Sequence, residues 1–110
     1  MAKRFEIKKS ANSQYFFALY ADNNEKILAS EMYSSKTGAQ NGVQAVKTNA
    51  PVDARYDRRT AKNGQFYFVL KAANGEIVGT SEQYKDSHGV DQGIAAVKAA
   101  APTAPIQDEA

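Results

Sequence analysis

The sequence predicts an α+β protein: two tandem strand-strand-strand-helix repeats forming one antiparallel sheet, with two helices on one face. Three observations predict it. The chain aligns with itself at an offset of 51, without a gap, from Phe5–Pro51 onto Tyr56–Pro102, with 17 identities in 47 pairs. After Tyr33, and again after Tyr84, the hydrophobic period lengthens from two to between three and four residues. Pro51 and Pro102 then close the two helical segments at matching places. A unit of 47 residues is near the lower limit for independent stability, so the copies are expected to share one core about an approximate twofold axis. The expected organisation is a single domain over 1–110, with repeat 1 at 5–51, repeat 2 at 56–102 and a tail at 103–110.

Each element has a local cause. Phe5-Glu6-Ile7-Lys8 alternates with period two, and Tyr15–Ala21 is a dense aromatic and aliphatic run, so both read as strands. Asn74-Gly75 is a hairpin signal, because both residues tolerate positive φ; Asn23-Asn24 matches it in the first copy. A three-residue loop (Ala73, Asn74, Gly75) with a bulge places Leu70 opposite Val78 and Leu19 opposite Ile27, which keeps the shared apolar residues on one face. Ala39, Gly42, Val43, Val46 and Ala50 recur at helical steps, as do Val90, Gly93, Ile94, Val97 and Ala101. Ser34 or Ser35 is the expected cap of the first helix and Asp86 or Ser87 that of the second. Glycine inside a helix costs about 0.5–1 kcal/mol, so Gly42 and Gly93 on the apolar stripe imply close approach of helix to sheet. In the tail, Ile106 is the residue able to bury in a short terminal strand.

Composition narrows the function. Fourteen Lys and Arg against twelve Asp and Glu give a net charge of +2, too small to demand a polyanionic partner. The absence of cysteine excludes a disulfide framework, a thiolate nucleophile, an iron–sulfur cluster and a Cys-based zinc site. No apolar run approaches the roughly 18 residues that cross a bilayer, and the basic start has no apolar stretch after it, so a cytoplasmic location is expected.

The run Gln65-Phe66-Tyr67-Phe68-Val69-Leu70-Lys71-Ala72-Ala73-Asn74-Gly75-Glu76, then Thr80-Ser81-Glu82-Gln83-Tyr84, then Gly93-Ile94-Ala95-Ala96-Val97-Lys98, resembles the YegP family of small bacterial proteins of unknown function. Both copies carry it, so the chain looks like a tandem-repeat member. The resemblance implies strand–helix units joined in a single sheet with C-terminal strands exchanged between units, an arrangement that single-unit relatives reach as homodimers. A monomer is therefore expected here. No activity, cofactor or partner comes with the family.

Candidate sites are few. His88 is the only histidine and reads as an exposed turn residue; one His and no Cys cannot hold zinc. Ser30-Glu31 and Ser81-Glu82 occur in both copies, as do Lys47 and Lys98. An axis passing between Glu31 and Glu82 would let them act as an acid/base dyad; otherwise each Glu ends its strand and pairs with the Lys of its own unit. Tyr33 and Tyr84 are expected to pack under the helices. No glycine-rich phosphate loop is present, because Asn63-Gly64 and Asn74-Gly75 are hairpin turns. If Phe17 and Leu19 face the helices, then Phe16, Ala18, Tyr20, Tyr67, Val69 and Lys71 face the other way. With nearby Lys8, Lys9, Arg58 and Arg59, that open face is the candidate binding surface. The favoured function is a non-catalytic binding or accessory module for a protein or peptide. The alternatives are single-stranded nucleic acid stacked on the same rings and, last, a small enzyme using Glu31 and Glu82; no cofactor or metal is called for.

Overall fold

The computed structural model describes residues 2–110. In chain order it contains β1 (Arg4–Lys9), β2 (Tyr15–Tyr20), β3 (Lys26–Ala29), α1 (Lys36–Asn49), a short 3-10 turn (Asp53–Arg55), β4 (Tyr56–Thr60), β5 (Phe66–Lys71), β6 (Ile77–Thr80), α2 (Ser87–Ala100) and β7 (Ile106–Asp108). The strands make one sheet in the order β4-β5-β6-β3-β2-β1-β7. Its sheet is mixed rather than wholly antiparallel: β7 runs parallel to β1, with Ile106 beside Phe5 and Asp108 beside Ile7. The terminal strand forms, but Ile106 does not bury in it: it stays exposed at the sheet edge, and Ala101 and Ala104 are the tail residues that bury. The direction is forced, since α2 returns the chain to the start of β1.

The two halves join at β3 and β6, where Ala29 pairs with Thr80. These residues are 51 apart, so the approximate twofold axis runs between them. Both inner hairpins carry the expected bulge, between Leu19 and Tyr20 and between Leu70 and Lys71, with Asn24 (φ 68°) and Gly75 (φ 88°) supplying the left-handed turn residue. The register differs by one residue from the expectation: Leu19 faces Leu28, not Ile27, and Leu70 faces Gly79, not Val78. The extra residue sits on β3 and β6, which lets Ile27 and Leu28 both be buried although they are sequence neighbours.

Ser35 and Asp86 cap the helices, each accepting from the backbone N–H three residues on. Both helices lie on one face of the sheet, over a core in which Phe5, Ile7, Phe17, Leu19, Leu28, Phe68 and Leu70 are fully buried beneath Val43, Val46 and Val97. Burying each such side chain contributes about 1.5–3 kcal/mol. Among the described residues no helix is long and apolar enough to cross a membrane.

The repeated glycines are explained by the repeated tyrosines. A Cβ on Gly42 would stand 2.5 Å from the Tyr33 hydroxyl and 2.7 Å from the Phe17 ring, and one on Gly93 would meet Tyr84 and Phe68 in the same way. Tyr33 stacks on Phe17, 6.2 Å between centroids. Burial raises the phenol pKa of Tyr33 and Tyr84, with nearby glutamates adding to it.

Candidate functional site

Side-chain alternation decides what lies on the face away from the helices. Beginning from the buried Phe5, Phe17 and Phe68, the opposite face receives Arg4, Glu6 and Lys8 from β1, Phe16, Ala18 and Tyr20 from β2, Asp57 and Arg59 from β4, and Tyr67, Val69 and Lys71 from β5. Phe16, Tyr20, Tyr67 and Lys71 are all half-buried on it. In the first half, Glu6, Lys8, Phe16, Ala18, Tyr20 and Lys26 line a hollow of about 310 Å³.

Arg58 is not on this face. It is opposite Phe68 in β4, points to the helices and bonds Asp91 of α2 at 2.5 Å. Lys9 likewise lies on the helix side, over the Tyr15 ring. Period two from Tyr56 puts Arg58 and Arg59 on opposite faces, so the reading of both as one basic patch is corrected.

The cations that remain on the open face are paired. Arg4 bonds Glu6 at 2.6 Å and lies 4.5 Å over the Tyr20 ring. Lys8 is 3.4 Å from Glu6 and 3.9 Å from Glu109, and Lys26 is 4.0 Å from Glu82. Arg59 and Lys71 share Asp57 at 3.1 and 3.3 Å. Burial would raise the Glu6 carboxyl, but Arg4 and Lys8 outweigh it and hold the group below its ordinary value. Hydrogen bonds from Arg59 and then Lys71 do the same for Asp57.

The repeated polar residues have other partners than expected. Because the axis passes between Ala29 and Thr80, Glu31 and Glu82 diverge from it, about 13 Å apart at the strand rise of 3.3 Å per residue. The dyad is not formed. Neither Glu pairs with the lysine of its own unit: Lys47 donates to the carbonyls of Ala104 (2.6 Å) and Ala101 (3.3 Å), and Lys98 pairs with Asp53. Ser30 and Ser81 each accept the N–H of a core residue, Phe17 and Phe68, at 2.9 Å, and donate to the next carbonyl, of Glu31 and Glu82. Their repetition is a matter of backbone satisfaction. His88 is exposed in the first turn of α2. Among the described residues no three His, Asp or Glu side chains gather as a metal site.

The duplication is also what comparison with known proteins finds. The model of a domain of unknown function, DUF1508, matches residues 10–57 and again residues 61–108, two stretches themselves 51 residues apart. The chain belongs to the DUF1508 family. It is 46% identical over 108 residues to the UPF0339 protein YegP of Escherichia coli K12, covering 98% of each chain. A UPF0339 protein of Bordetella pertussis is 52% identical over 103 residues, covering 94% of this chain and 93% of its own. Among solved structures, the solution NMR structure of E. coli YegP superposes with a TM-score of 0.92, covering 99% of this chain and 94% of that one, at 46% identity. That of a Shewanella oneidensis UPF0339 protein gives 0.91, covering 98% and 92%, also at 46% identity. The DUF1508 relatives share the fold and are themselves uncharacterised proteins.

Proposed function

We propose that this DUF1508 protein is a non-catalytic binding module that receives a protein segment on the open face of its sheet. One observation carries the reading: every lysine and arginine of that face already lies within 4.0 Å of a carboxylate of the same chain. A track for phosphates needs free cations, whereas a protein ligand can stack on Phe16, Tyr20 and Tyr67 and leave most of the ion pairs intact. Lys8 and Lys26 have the longest pairings and are 44% exposed, so they are the cations open to exchange. The ligand is therefore a segment bringing aromatic or aliphatic side chains to the rings and carboxylates to Lys8 and Lys26. The module works as a monomer, its second repeat standing where a homodimer would place a partner.

Single-stranded nucleic acid is the second reading, favoured by three rings beside five cations. Peptide display against the protein separates the two. Acidic–aromatic binders should be enriched, lose about tenfold in affinity with Tyr20→Ala, and depend weakly on salt. Binders indifferent to Tyr20→Ala and Tyr67→Ala, or tight binding of mixed single-stranded DNA with a linear log–log salt dependence, would contradict the reading.

A further inference from the structure

The approximate symmetry leaves one edge unmatched. In the first half, the segment after α2 fills the groove between β1 and α1. Ala101 and Ala104 are buried there, Lys47 holds their carbonyls, Phe5 N–H donates to Pro105 at 2.8 Å, and Glu109 N–H donates to Ile7 at 2.8 Å. At the offset of 51, the counterparts of Phe5, Ile7 and Lys47 are Tyr56, Arg58 and Lys98. These border the corresponding groove between β4 and α2, where a cavity of about 330 Å³ stands instead of a strand. The reason is connectivity. After α1 the chain turns through Asp53–Arg55 straight into β4, so the residues that would have lain beside β4 have become its beginning.

The outer edge of β4 is consequently unpaired among the described residues. Ala61 N–H bonds inward to Gln65, so by alternation Arg58 and Thr60 turn their N–H and C=O outward, while the Tyr56 N–H is taken by Asp53. Exposed strand edges accept extended peptides. Charge narrows the choice. Lys8, which faces Glu109 behind β7, has Arg59 as its counterpart on β4. Arg58 and Arg59 disfavour a basic strand, the groove wall of Tyr56, Ile94 and Ala95 can take an apolar side chain, and an acidic end meets Arg59 in exchange for Asp57.

We propose that the outer edge of β4 takes an extended segment of a partner protein as a parallel eighth strand, with the chemistry of Ile106–Glu109, an aliphatic residue followed by carboxylates; the place of Ala104–Pro105 is held by Asp53, which takes the Tyr56 N–H and pairs with Lys98. The edge adjoins the open face at Arg59, but the proposal rests on the outward backbone groups of Arg58 and Thr60 and not on the open-face reading.

The test is an NMR titration of the whole protein with a synthetic peptide of the sequence of residues 101–110, which is the known occupant of the matching groove. Amide shifts are expected to concentrate in Tyr56–Thr60 and along α2 near Ser87 and Lys98, with hydrogen exchange of the Arg58 amide slowed about tenfold. A peptide N-methylated at the position of Glu109, lacking the strand donor, should not bind. Arg59→Gln should weaken the unmodified peptide about tenfold. Shifts at Phe5, Ile7 and Lys47 would show strand exchange into the filled groove; shifts at Phe16 and Tyr20, far from β4, would show open-face binding. Either of these, equal binding of the N-methylated peptide, or no shift at millimolar peptide overturns the proposal.

Discussion

Leu28 and Gly79 occupy equivalent positions in the two repeats, and the Leu28 side chain fills the space that a Cβ on Gly79 would require. Such a Cβ would lie 2.5 Å from Leu28 Cδ2 and 2.7 Å from Cγ. Near a twofold axis a residue meets its own counterpart, and two leucines do not fit. A homodimer of single repeats must put the same residue on both sides of its axis; a tandem chain is free to place a large residue on one side and none on the other. Leu28 is fully buried as a result.

Core truncation should be expensive in both halves. Leu19→Ala and Leu70→Ala each remove a fully buried side chain, and each should lower stability by about 2–5 kcal/mol in urea unfolding. Equal midpoints for mutant and parent would place these residues outside the core.

Gly93→Ala should destabilise although alanine is the better helix former by about 1 kcal/mol. The added methyl meets the Tyr84 hydroxyl, with the ring Cζ at 2.9 Å and Phe68 Cε2 at 3.1 Å. A net loss of about 1–3 kcal/mol is expected, partly recovered by adding Tyr84→Phe, which withdraws the nearest atom. A raised melting temperature for Gly93→Ala alone would contradict the packing described.

Ser81→Ala should cost about 1–3 kcal/mol, because it strands the Phe68 N–H that the hydroxyl now satisfies in a buried setting. Ser81→Thr, which keeps the hydroxyl, should lose less. The same order is expected at Ser30, with smaller losses because that site is more open.

Acid should unfold the protein through the open face. Glu6 has a folded pKa below the ordinary 4.5, so its stabilisation is fully present above that value and disappears as pH falls through the lower folded one. Asp57 and Asp108 act in the same direction, weakly, since they are exposed. Glu6→Gln should flatten the stability curve below about pH 4.5 and leave its shape above pH 6 unchanged. An unchanged acid limb would assign the acid sensitivity elsewhere.

The self-alignment at 51 reveals the repeats, their helices, the close approach at Gly42 and Gly93 and the tyrosines under the helices, because identical residues at identical offsets report shared packing; that each glycine makes room for its own tyrosine shows only in the structure. What it could not reveal were features that break the symmetry. Leu28 against Gly79 looks like an ordinary divergence until the axis is located. The partners of Lys47 are backbone carbonyls more than fifty residues away, which leave no trace in side-chain identity. Composition likewise groups Arg58 with Arg59, although alternation from Tyr56 separates them. The one-residue error in register arose because a bulge can sit on either strand of a hairpin, and only the consecutive burial of Ile27 and Leu28 tells which.

That the two repeats share one core across the axis, and so leave one face open and one edge unmatched, is tested most directly by exchanging Leu28 and Gly79. Leu28→Gly should lose about 3–5 kcal/mol through the cavity and the freed backbone, and Gly79→Leu about 1–3 kcal/mol through overcrowding. The double variant restores one leucine and one glycine to the axis. Urea unfolding should find it more stable than the sum of the single losses by about 1–3 kcal/mol. Strictly additive losses would mean that the two positions do not share one space, and the account of a common core would fail.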